Sequence, residues 1–439
     1  MIGSLKRIVY NPMSQKGRIS GQAVVLGSVL SLSAIILTLS NVILARSLSQ
    51  VDFGMFSVVV SLSAVLSVPT SGGMQLLLNR EVSKRVIHQE FESIRGTIRF
   101  SYAWAVTIFC VVFLAAIVYD VNSSGIRSLR VADYKVASAA ILTLPMALIA
   151  INAGVLRGFD RPVIAALPPQ LVQPALLLTI VCAISLLGTL NLEYTLAAQF
   201  LALISAATMA TFFARKVIGA LPRGSLGSFD AGSLVRLTLT FSALSAIIVL
   251  SANIAIIYLG FEGLHKAAAE LRVAERGGQL VAFPILMLES IIVAKFVASL
   301  KTEPSKNLKQ YSKQSSRISF SLAIIVAAVL LLPGEKLLEF VFGSDYAFSY
   351  QPMIILVAFY LFHAATGPAA LILVADGREK QVALVNLVSV LVILMGCTVW
   401  AEKYGSIGAA SSIALGLLLA KILLLIIIKK KHNIFPGIF

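Results

Sequence analysis

The sequence has few charged residues and few residues that bind metals or form disulfides. Charged side chains make up 13% of its 439 residues, against about 25% in an ordinary soluble domain. Its four His are scattered, and its three Cys (Cys110, Cys182 and Cys397) fall inside apolar runs without metal-ligand spacing. We therefore expect no disulfide framework and no metal site, and we interpret the cysteines as small buried apolar residues.

Motifs for nucleotide hydrolysis and for common catalytic sites are also missing. The sequence contains no GxxxxGK[ST] loop, no H-E-x-x-H and no C-x-x-C, so it lacks the residues that cradle phosphates or hold a catalytic zinc ion. No long polar region is left in which a transferase domain could fold. These absences argue against an ATP-driven pump and against an enzyme, and we expect no cofactor.

Apolar residues dominate what is there. Hydrophobic residues make up 58% of the chain, against roughly 45–50% in soluble domains. The formal charge of +16 would indicate nucleic-acid binding in a soluble protein, but here the basic residues lie between apolar runs long enough to cross a bilayer. The composition therefore predicts an all-α integral membrane protein, with the lipid bilayer and not nucleic acid as its surroundings.

Twelve apolar runs are long enough to span the membrane, which requires about 20 residues for a hydrocarbon layer of roughly 30 Å. A basic segment precedes the first run, but that run exceeds 20 residues and no clear cleavage signal follows, so we expect a retained first span. The twelve predicted spans are 21–45, 53–78, 100–119, 136–156, 162–187, 194–214, 237–259, 267–299, 318–333, 350–374, 381–400 and 405–428.

The distribution of Lys and Arg predicts the orientation of these spans. With both termini in the cytoplasm, the cytoplasmic segments hold 25 Lys and Arg and the six opposite loops hold seven. Acidic residues divide more evenly, as a rule based on Lys and Arg rather than on net charge requires. We therefore expect a multi-pass protein of the plasma (bacterial inner) membrane with both termini cytoplasmic.

A possible internal repeat divides the chain into two halves. The turn "GVLRGFDRPVIAAL" (154–167) resembles "LILVADGREKQVAL" (371–384), with Arg161 and Arg378 at equivalent places 217 residues apart. An offset of six spans, an even number, makes the repeats parallel. We expect two six-helix lobes, residues 1–217 and 218–439.

Span 8 is unusual because its first part, "AELRVAERGGQLVAF" (269–283), carries four charges. A charge at the centre of a lipid-facing helix costs about 2.5–3.5 kcal/mol on insertion scales, so such side chains are expected to face protein or water. One partly polar stripe, within an arc of roughly 100°, is therefore predicted to line an internal cavity. The stripe consists of Arg272, Glu275, Gln279, Ala282, Leu286 and Glu289.

A simpler interpretation makes residues 270–276 a solvated helix end in the outer headgroup zone, paired at i,i+4 and i,i+3. Glu289 fits that interpretation poorly because it lies in the middle of the apolar run. Lys421, inside the last span, either snorkels to the interface or faces the cavity. Gly277, Gly278 and Pro284 are expected to be points where the helix bends.

Three motifs resemble those of polysaccharide flippases. The first, at 41–84, has an "LAR" end, a short loop containing "DFG" and a helix ending in "LLLNRE". The second, "LLPGEKLLEFVFGSDYAFSYQPMIIL" (331–356), is similar to an FGxxY element before span 10, and "GSIGAASSIALG" (405–416) resembles the opening of the last span. Their order around twelve spans resembles the O-antigen and exopolysaccharide exporters of the multidrug/oligosaccharidyl-lipid/polysaccharide (MOP) flippase superfamily.

The resemblance implies a V-shaped pair of lobes around a central cavity, and alternating access. The expected substrate is a polyprenyl-diphosphate-linked oligosaccharide, the repeat unit of a surface polysaccharide, moved from the cytoplasmic to the outer leaflet. A polysaccharide polymerase and chain-length proteins are candidate partners.

The expected substrate-binding residues are cations and one amide, because guanidinium groups form bidentate contacts with phosphate. Two carboxylates are expected to orient them or to exchange a proton. Two alternatives stay open: a cation-exporting multidrug transporter of the same superfamily, and a non-transport scaffold of a glycan-synthesis complex. The substrate-binding candidates are Arg272, Arg276, Arg80, Arg46, Gln279 and Lys421, and the carboxylates are Glu275 and Glu289.

Overall fold

The computed structural model describes residues 12–88, 90–123, 136–188, 190–221, 231–302 and 304–438, with the side chains of 12–24, 123, 231 and 290–308 outside the description. Every regular element in these ranges is helical. The all-α class is confirmed.

The described residues of the first half form nine α-helices and one π-helical turn between α7 and α8. They are α1 (Pro12–Ser47), α2 (Gln50–Ser71), α3 (Met74–His88), α4 (Phe91–Ser123), α5 (Val136–Ile141), α6 (Thr143–Gly158), α7 (Pro162–Leu167), the π-helical turn Pro168–Val172, α8 (Gln173–Leu186) and α9 (Leu192–Gly219).

The second half repeats this pattern of long helices joined by short turns. Its elements are α10 (Ala231–Phe261), α11 (His265–Thr302), α12 (Pro304–Leu331), α13 (Glu335–Phe342), the 3₁₀ turn Ser344–Ser349, α14 (Tyr350–Thr366), α15 (Ala369–Ala375), α16 (Glu379–Gly396), the π-helical turn Cys397–Ala401 and α17 (Glu402–His432).

Ten helical segments in the described ranges are long and apolar enough to cross a membrane. One of them, Glu379–His432, has 54 residues and covers two predicted spans. It folds back on itself at Gly405, where φ is 57°, so that Gly396 packs against Ser412 and Gly416 against Ile393. Predicted span 8 forms α11, which is not among the ten. The count of twelve spans stays a prediction.

The start of α2 follows from the "SQVD" sequence. Ser49 is the N-cap: its hydroxyl accepts a hydrogen bond from the Asp52 amide at 3.1 Å and donates one to the Asp52 carboxylate at 2.7 Å. Such a cap satisfies amide groups that have no partner within the helix. The helix therefore begins at a defined residue, and the next residues, Phe53 and Gly54, are held in register.

Helix α2 belongs to the first half of the chain and packs closely against helices of the second half. A side chain at Gly54 would overlap the carbonyl of His265 at the start of α11, and one at Gly73 would overlap the backbone at Phe241 of α10. Val58 packs against Gly260 in the same way. Small residues thus let α2 approach both α10 and α11 closely, as is common in membrane helices.

The largest apolar cluster joins both halves. It includes Phe53 and Val58 of α2, Ile256 of α10, Leu271 of α11 and Met353 of α14, all fully buried. Cys397 is also buried. The prediction for Cys110 was wrong, because this residue lies exposed on the outside of α4, where a bilayer accepts a small apolar side chain as readily as a protein interior does.

The two turns that suggested a repeat have the same backbone hydrogen bonds. The amides of Phe159, Asp160 and Arg161 donate to Val155, Arg157 and Leu156. At an offset of 217 residues, the amides of Asp376, Gly377 and Arg378 donate to Ile372, Val374 and Leu373. Asp160 and Gly377 also share a positive φ, 56° and 73°. The assignment of whole lobes to 1–217 and 218–439 stays a prediction.

Candidate functional site

Arg272 lies on the second turn of α11 and is buried against α2. Only 9% of the residue is exposed. Its Nη1 lies 3.2 Å from Glu275 Oε2, and its Nη2 donates to the Ser57 carbonyl at 3.1 Å and to Ser61 Oγ at 2.5 Å. The predicted i,i+3 pair therefore forms, but the interpretation of this pair as a solvated helix end was wrong. Arg272 joins the second half of the chain to the first.

Arg276 lies one turn further along α11 and is bound less completely. Its Nη1 donates to Gln279 Oε1 at 2.7 Å, and Gln279 is itself exposed. Its buried Nε has no hydrogen-bond partner among the described residues. A guanidinium has five N–H donors. Arg272 makes three hydrogen bonds within the protein, whereas Arg276 makes one to a described residue and retains several donors for a ligand.

Arg272, Glu275 and Arg276 form one charge cluster. Each interacts electrostatically with the others, and together two cations and one carboxylate carry a net charge of +1. Removal of an ion from water costs several kcal/mol unless a partner compensates it. Glu275 compensates one of the two arginines, so the cluster favours an anion as an additional partner.

Lys421 and Glu289 form a second polar cluster, between α17 and α11. Lys421 is 4% exposed, and its Nζ donates to the carbonyl of Gly367 at 2.5 Å. The ammonium group also interacts electrostatically with Glu289 and His363. Between the two interpretations of Lys421, the structure rules out snorkelling, because the side chain ends on a buried carbonyl at the break between α14 and α15.

The structure does not bury the predicted stripe of α11 uniformly. Ala282 is 7% exposed, whereas Leu286 is 61% exposed and Gln279 is exposed as well. The stripe as the wall of a cavity stays a prediction. Helix α11 runs without a break through Gly277, Gly278 and Pro284, and a bend at these residues stays a prediction. A side chain at these glycines would lie 2.5 Å from Met353 Sδ and 2.9 Å from Tyr360 Cε2, so their role is close packing against α14.

Two of the predicted substrate-binding arginines lie apart from these clusters. Arg46, at the end of α1, donates from Nε to the Val341 carbonyl at 2.8 Å and from Nη2 to the Phe340 carbonyl. It therefore caps α13, whose last carbonyls have no partner within the helix. Arg80 is exposed on α3. In the described residues, neither arginine contacts Arg272 or Arg276.

Sequence reasoning missed a junction around Glu270. Its carboxylate accepts a hydrogen bond from Gln50 Nε2 at 3.3 Å and one from Ser406 Oγ at 2.5 Å, and Gln50 Nε2 also donates to the Asp345 carbonyl at 3.2 Å. Phe53 packs edge-on against Tyr346 with ring centroids 6.0 Å apart. We call these six residues the Glu270 junction. All three motifs that resemble those of polysaccharide flippases contribute residues to this junction. Their shared resemblance was therefore the signal in the sequence that could have predicted it.

Solved structures with the same arrangement of helices come from one superfamily of membrane transporters. An inward-facing multidrug resistance MATE family transporter of the MOP superfamily superposes with a TM-score of 0.67, at 14% identity over 94% of this chain and 98% of that chain. This is the fold of the MOP superfamily. The expected membrane-transporter architecture is confirmed at that level.

Two further MOP-type structures superpose at similar quality. The lipid II flippase MurJ, in an inward closed conformation, has a TM-score of 0.63 at 14% identity, covering 92% of this chain and 87% of that chain. A MOP superfamily transporter from Pyrococcus furiosus, described as having a binding pocket of reverse polarity, has a TM-score of 0.62 at 14% identity, with 98% of each chain covered. No protein-family model and no curated protein matches the sequence.

Proposed function

We propose that the protein moves a polyprenyl-diphosphate-linked oligosaccharide from the cytoplasmic to the outer leaflet of a bacterial inner membrane. The observation that carries this proposal is the Arg272–Glu275–Arg276 cluster, which is positively charged and lies on α11, the helix of predicted span 8. The superposition with a lipid II flippase supports a lipid-linked substrate. The motifs that resemble O-antigen and exopolysaccharide exporters support a surface glycan as the cargo, and a polymerase and chain-length proteins as partners.

Arg276 is the residue that contacts the diphosphate in this proposal. A guanidinium stays charged when it leaves water and offers paired donors to phosphate oxygens. The Nε of Arg276 has no hydrogen-bond partner among the described residues, and Gln279, which holds its Nη1, is exposed. Gln279 is the only protein acceptor of Arg276 within the described residues, so a phosphate oxygen replaces a single neutral contact.

Alternating access gives the Glu270 junction a role as well. The Lys and Arg distribution predicts that Gln50, Glu270 and Ser406 lie on the outer side, and in the structure they join helices of both halves. Release of a large glycan to the outer leaflet requires these helices to separate. The junction combines an aromatic contact with a few hydrogen bonds, of which those to the Glu270 carboxylate contribute about 1.5–3 kcal/mol each, and in this proposal substrate binding at the adjacent turn of α11 supplies the energy that opens it.

A second candidate function is export of organic cations. The superposition with multidrug resistance transporters supports it as well as the first, and it requires a carboxylate to bind the cation. Glu275 already has a cationic partner in Arg272, whereas Glu289 is influenced by the charge of Lys421 without forming an ion pair with a described residue. Uptake of a fluorescent cation into vesicles that contain the purified protein tests this function directly.

The decisive experiment compares variants of α11 for surface glycan and for accumulated lipid-linked precursor. Loss of one charge-assisted contact weakens binding by about ten- to hundredfold, so Arg276→Ala is expected to export little and to accumulate precursor. Arg276→Lys should retain part of the activity because it keeps the charge without the fork. Lys266→Ala, which removes an exposed cation from the same helix, is the matched control. Normal export by Arg276→Ala at normal membrane abundance contradicts the proposal.

A further inference from the structure

A second candidate site is an apolar groove on the first half of the chain, away from both charge clusters. It has a volume of about 460 Å³, and its lining comes from the long helices α4, α6 and α9 and from the end of the short helix α5. Phe109, Leu148, Phe200, Ile204 and Phe212 supply apolar walls, and Arg215 lies at one end. An apolar cleft with one charged end fits an amphiphile with a hydrocarbon chain and an anionic head group.

The length of the groove distinguishes between hydrocarbon chains. Phe200 and Arg215 lie 15 positions apart on the same helix, which corresponds to about 22 Å at 1.5 Å per residue. The hydrocarbon of a single leaflet is about 15 Å thick, half of the roughly 30 Å core. In the predicted orientation, with Arg215 at the cytoplasmic surface, a lining of this length is longer than one leaflet. A phospholipid acyl chain ends within its leaflet, whereas a long polyprenyl chain reaches both leaflets.

The polar groups near the charged end are already bonded to one another, apart from Arg215. Tyr102 donates to Asn152 Oδ1 at 2.5 Å, and Asn152 Nδ2 donates to Thr211 Oγ1 at 3.0 Å and to the Leu148 carbonyl at 2.8 Å. Thr211 donates in turn to its own helix. This network fixes the wall of the groove and leaves no strong acceptor for a cation.

Arg215 is exposed, and none of the ion pairs formed by described residues includes it. It follows the apolar lining at the end of α9 that the Lys and Arg distribution predicts to be cytoplasmic, next to Lys216. A guanidinium at this depth lies at the level of lipid phosphates and matches their charge and geometry.

We propose that this groove binds the isoprenoid chain of a polyprenyl-phosphate lipid, with its phosphate at Arg215. The inference rests on the proposed function for its choice of lipid: the carrier enters sideways from the inner leaflet and is held by its chain while the glycan moves through the protein. The groove is thus a docking site for the carrier, and the α11 cluster is the site for the diphosphate during transfer.

The test measures saturable lipid binding to the purified full-length protein in phosphatidylethanolamine nanodiscs, by native mass spectrometry. The probes are a long-chain polyprenyl phosphate, the uncharged polyprenol and phosphatidylglycerol. Arg215→Gln is expected to weaken binding of the phosphate about ten- to hundredfold and to leave polyprenol binding unchanged. Lys216→Gln, its exposed neighbour, is the matched control and should leave both unchanged.

Filling the groove supplies an independent arm. Ile204→Trp places a bulky ring in the lining and is expected to abolish binding of both polyprenyl probes. Leu201→Trp changes a residue of the same helix that is 53% exposed and outside the lining, and it should bind as the unaltered protein does. Wild-type binding by Ile204→Trp, or equal displacement by phosphatidylglycerol, overturns the proposal. The assay needs no transport, so export that fails while binding survives contradicts the proposed function alone.

Discussion

The two halves of the molecule each contain a turn with the same backbone hydrogen bonds, but they differ in the side chains and segments that lie beside it. After α6 and after α15 the backbone makes the same hydrogen bonds. In the second half, Asp376 binds Lys431 and His432 at the end of α17. Beyond it, the Pro436 carbonyl accepts hydrogen bonds from Ser312 Oγ at 2.6 Å and Ser316 Oγ at 2.9 Å.

The C-terminal segment 433–438 therefore crosses from α17 to α12 and α14, where the Ile438 amide donates to the Ala365 carbonyl at 2.9 Å. At the predicted offset of 217 residues, these helices correspond in the sequence to the three long helices that line the first-half groove. The residue equivalent to Asp376 is Phe159, and the residue equivalent to Lys421 is Ile204, a groove residue. One backbone pattern thus supports two different sites: a covered polar one and an open apolar one.

The largest expected effect comes from locking the two halves together. A Cβ atom at Gly260 would lie 3.1 Å from Val58 Cβ, close to the roughly 3.5–4.5 Å of a disulfide. In a background without the three native cysteines, oxidised Val58→Cys/Gly260→Cys is expected to lose nearly all export and to recover it on reduction.

The matched control is Leu78→Cys/Gly154→Cys, whose Cβ atoms are similarly placed at 3.0 Å but lie within the first half. Its oxidation should leave export unchanged if that half moves as one body. Equal loss of export in both oxidised pairs would show that the two halves do not move as separate rigid bodies.

Arg272 is expected to matter for stability more than Arg276 does. Arg272→Ala leaves Glu275 without its ion-pair partner in a buried position, and such a change costs about 3–5 kcal/mol. We expect a lower yield of folded protein and a lower unfolding temperature in detergent, measured by fluorescence-detected size exclusion. Arg272→Ala/Glu275→Gln should recover most of this loss. If the double variant is no more stable than the single one, the ion pair does not determine the stability of α11.

Two glycines with positive φ differ in what an added side chain would meet. Gly367 and Gly377 have φ values of 75° and 73°. A side chain at Gly367 would overlap the Pro436 carbonyl, whereas one at Gly377 meets nothing within 4 Å. Strain alone costs of order 1–3 kcal/mol, so Gly377→Ala should lose that amount and Gly367→Ala clearly more. Limited proteolysis of the C-terminus should accelerate only in Gly367→Ala.

The smallest expected effect concerns the ion cluster at Asp376. Burial acts to raise the pKa of this carboxyl, but the hydrogen bond and charge of Lys431, together with the charge of His432, outweigh it and hold the pKa below its usual range. The folded state is therefore stabilised above the ordinary Asp pKa of about 3.9, and this contribution is lost as the pH falls through the folded value. Asp376→Asn should lower the unfolding temperature at pH 7 slightly, by the equivalent of less than about 1 kcal/mol, and by progressively less as the pH falls below the ordinary Asp pKa of about 3.9.

Local patterns predict the helices and the i,i+3 pair of Arg272 and Glu275, because both depend on residues within one or two turns. They do not predict that Arg272 bonds to Ser57 and Ser61, which lie more than 200 positions away in the chain. Nor do they show that Gly277 and Gly278 serve close packing, since a glycine has the same local signature in a hinge and in a contact. Contacts between distant helices depend on the shape of both surfaces, and a single sequence contains only their composition.

The residues of the Glu270 junction are synthesised at widely separated times, so its hydrogen bonds form one after another. Gln50 is inserted first and Glu270 follows 220 residues later, but Ser406 comes a further 136 residues behind. At about 5–20 residues per second, the Glu270 carboxylate waits roughly 7–27 s for its hydroxyl partner. The hairpin of α16 and α17 therefore closes the molecule. If translation stalls before this hairpin, the Glu270 carboxylate has only one of these two hydrogen bonds, the one from Gln50. The missing bond from Ser406 then distinguishes an unfinished chain from a complete one.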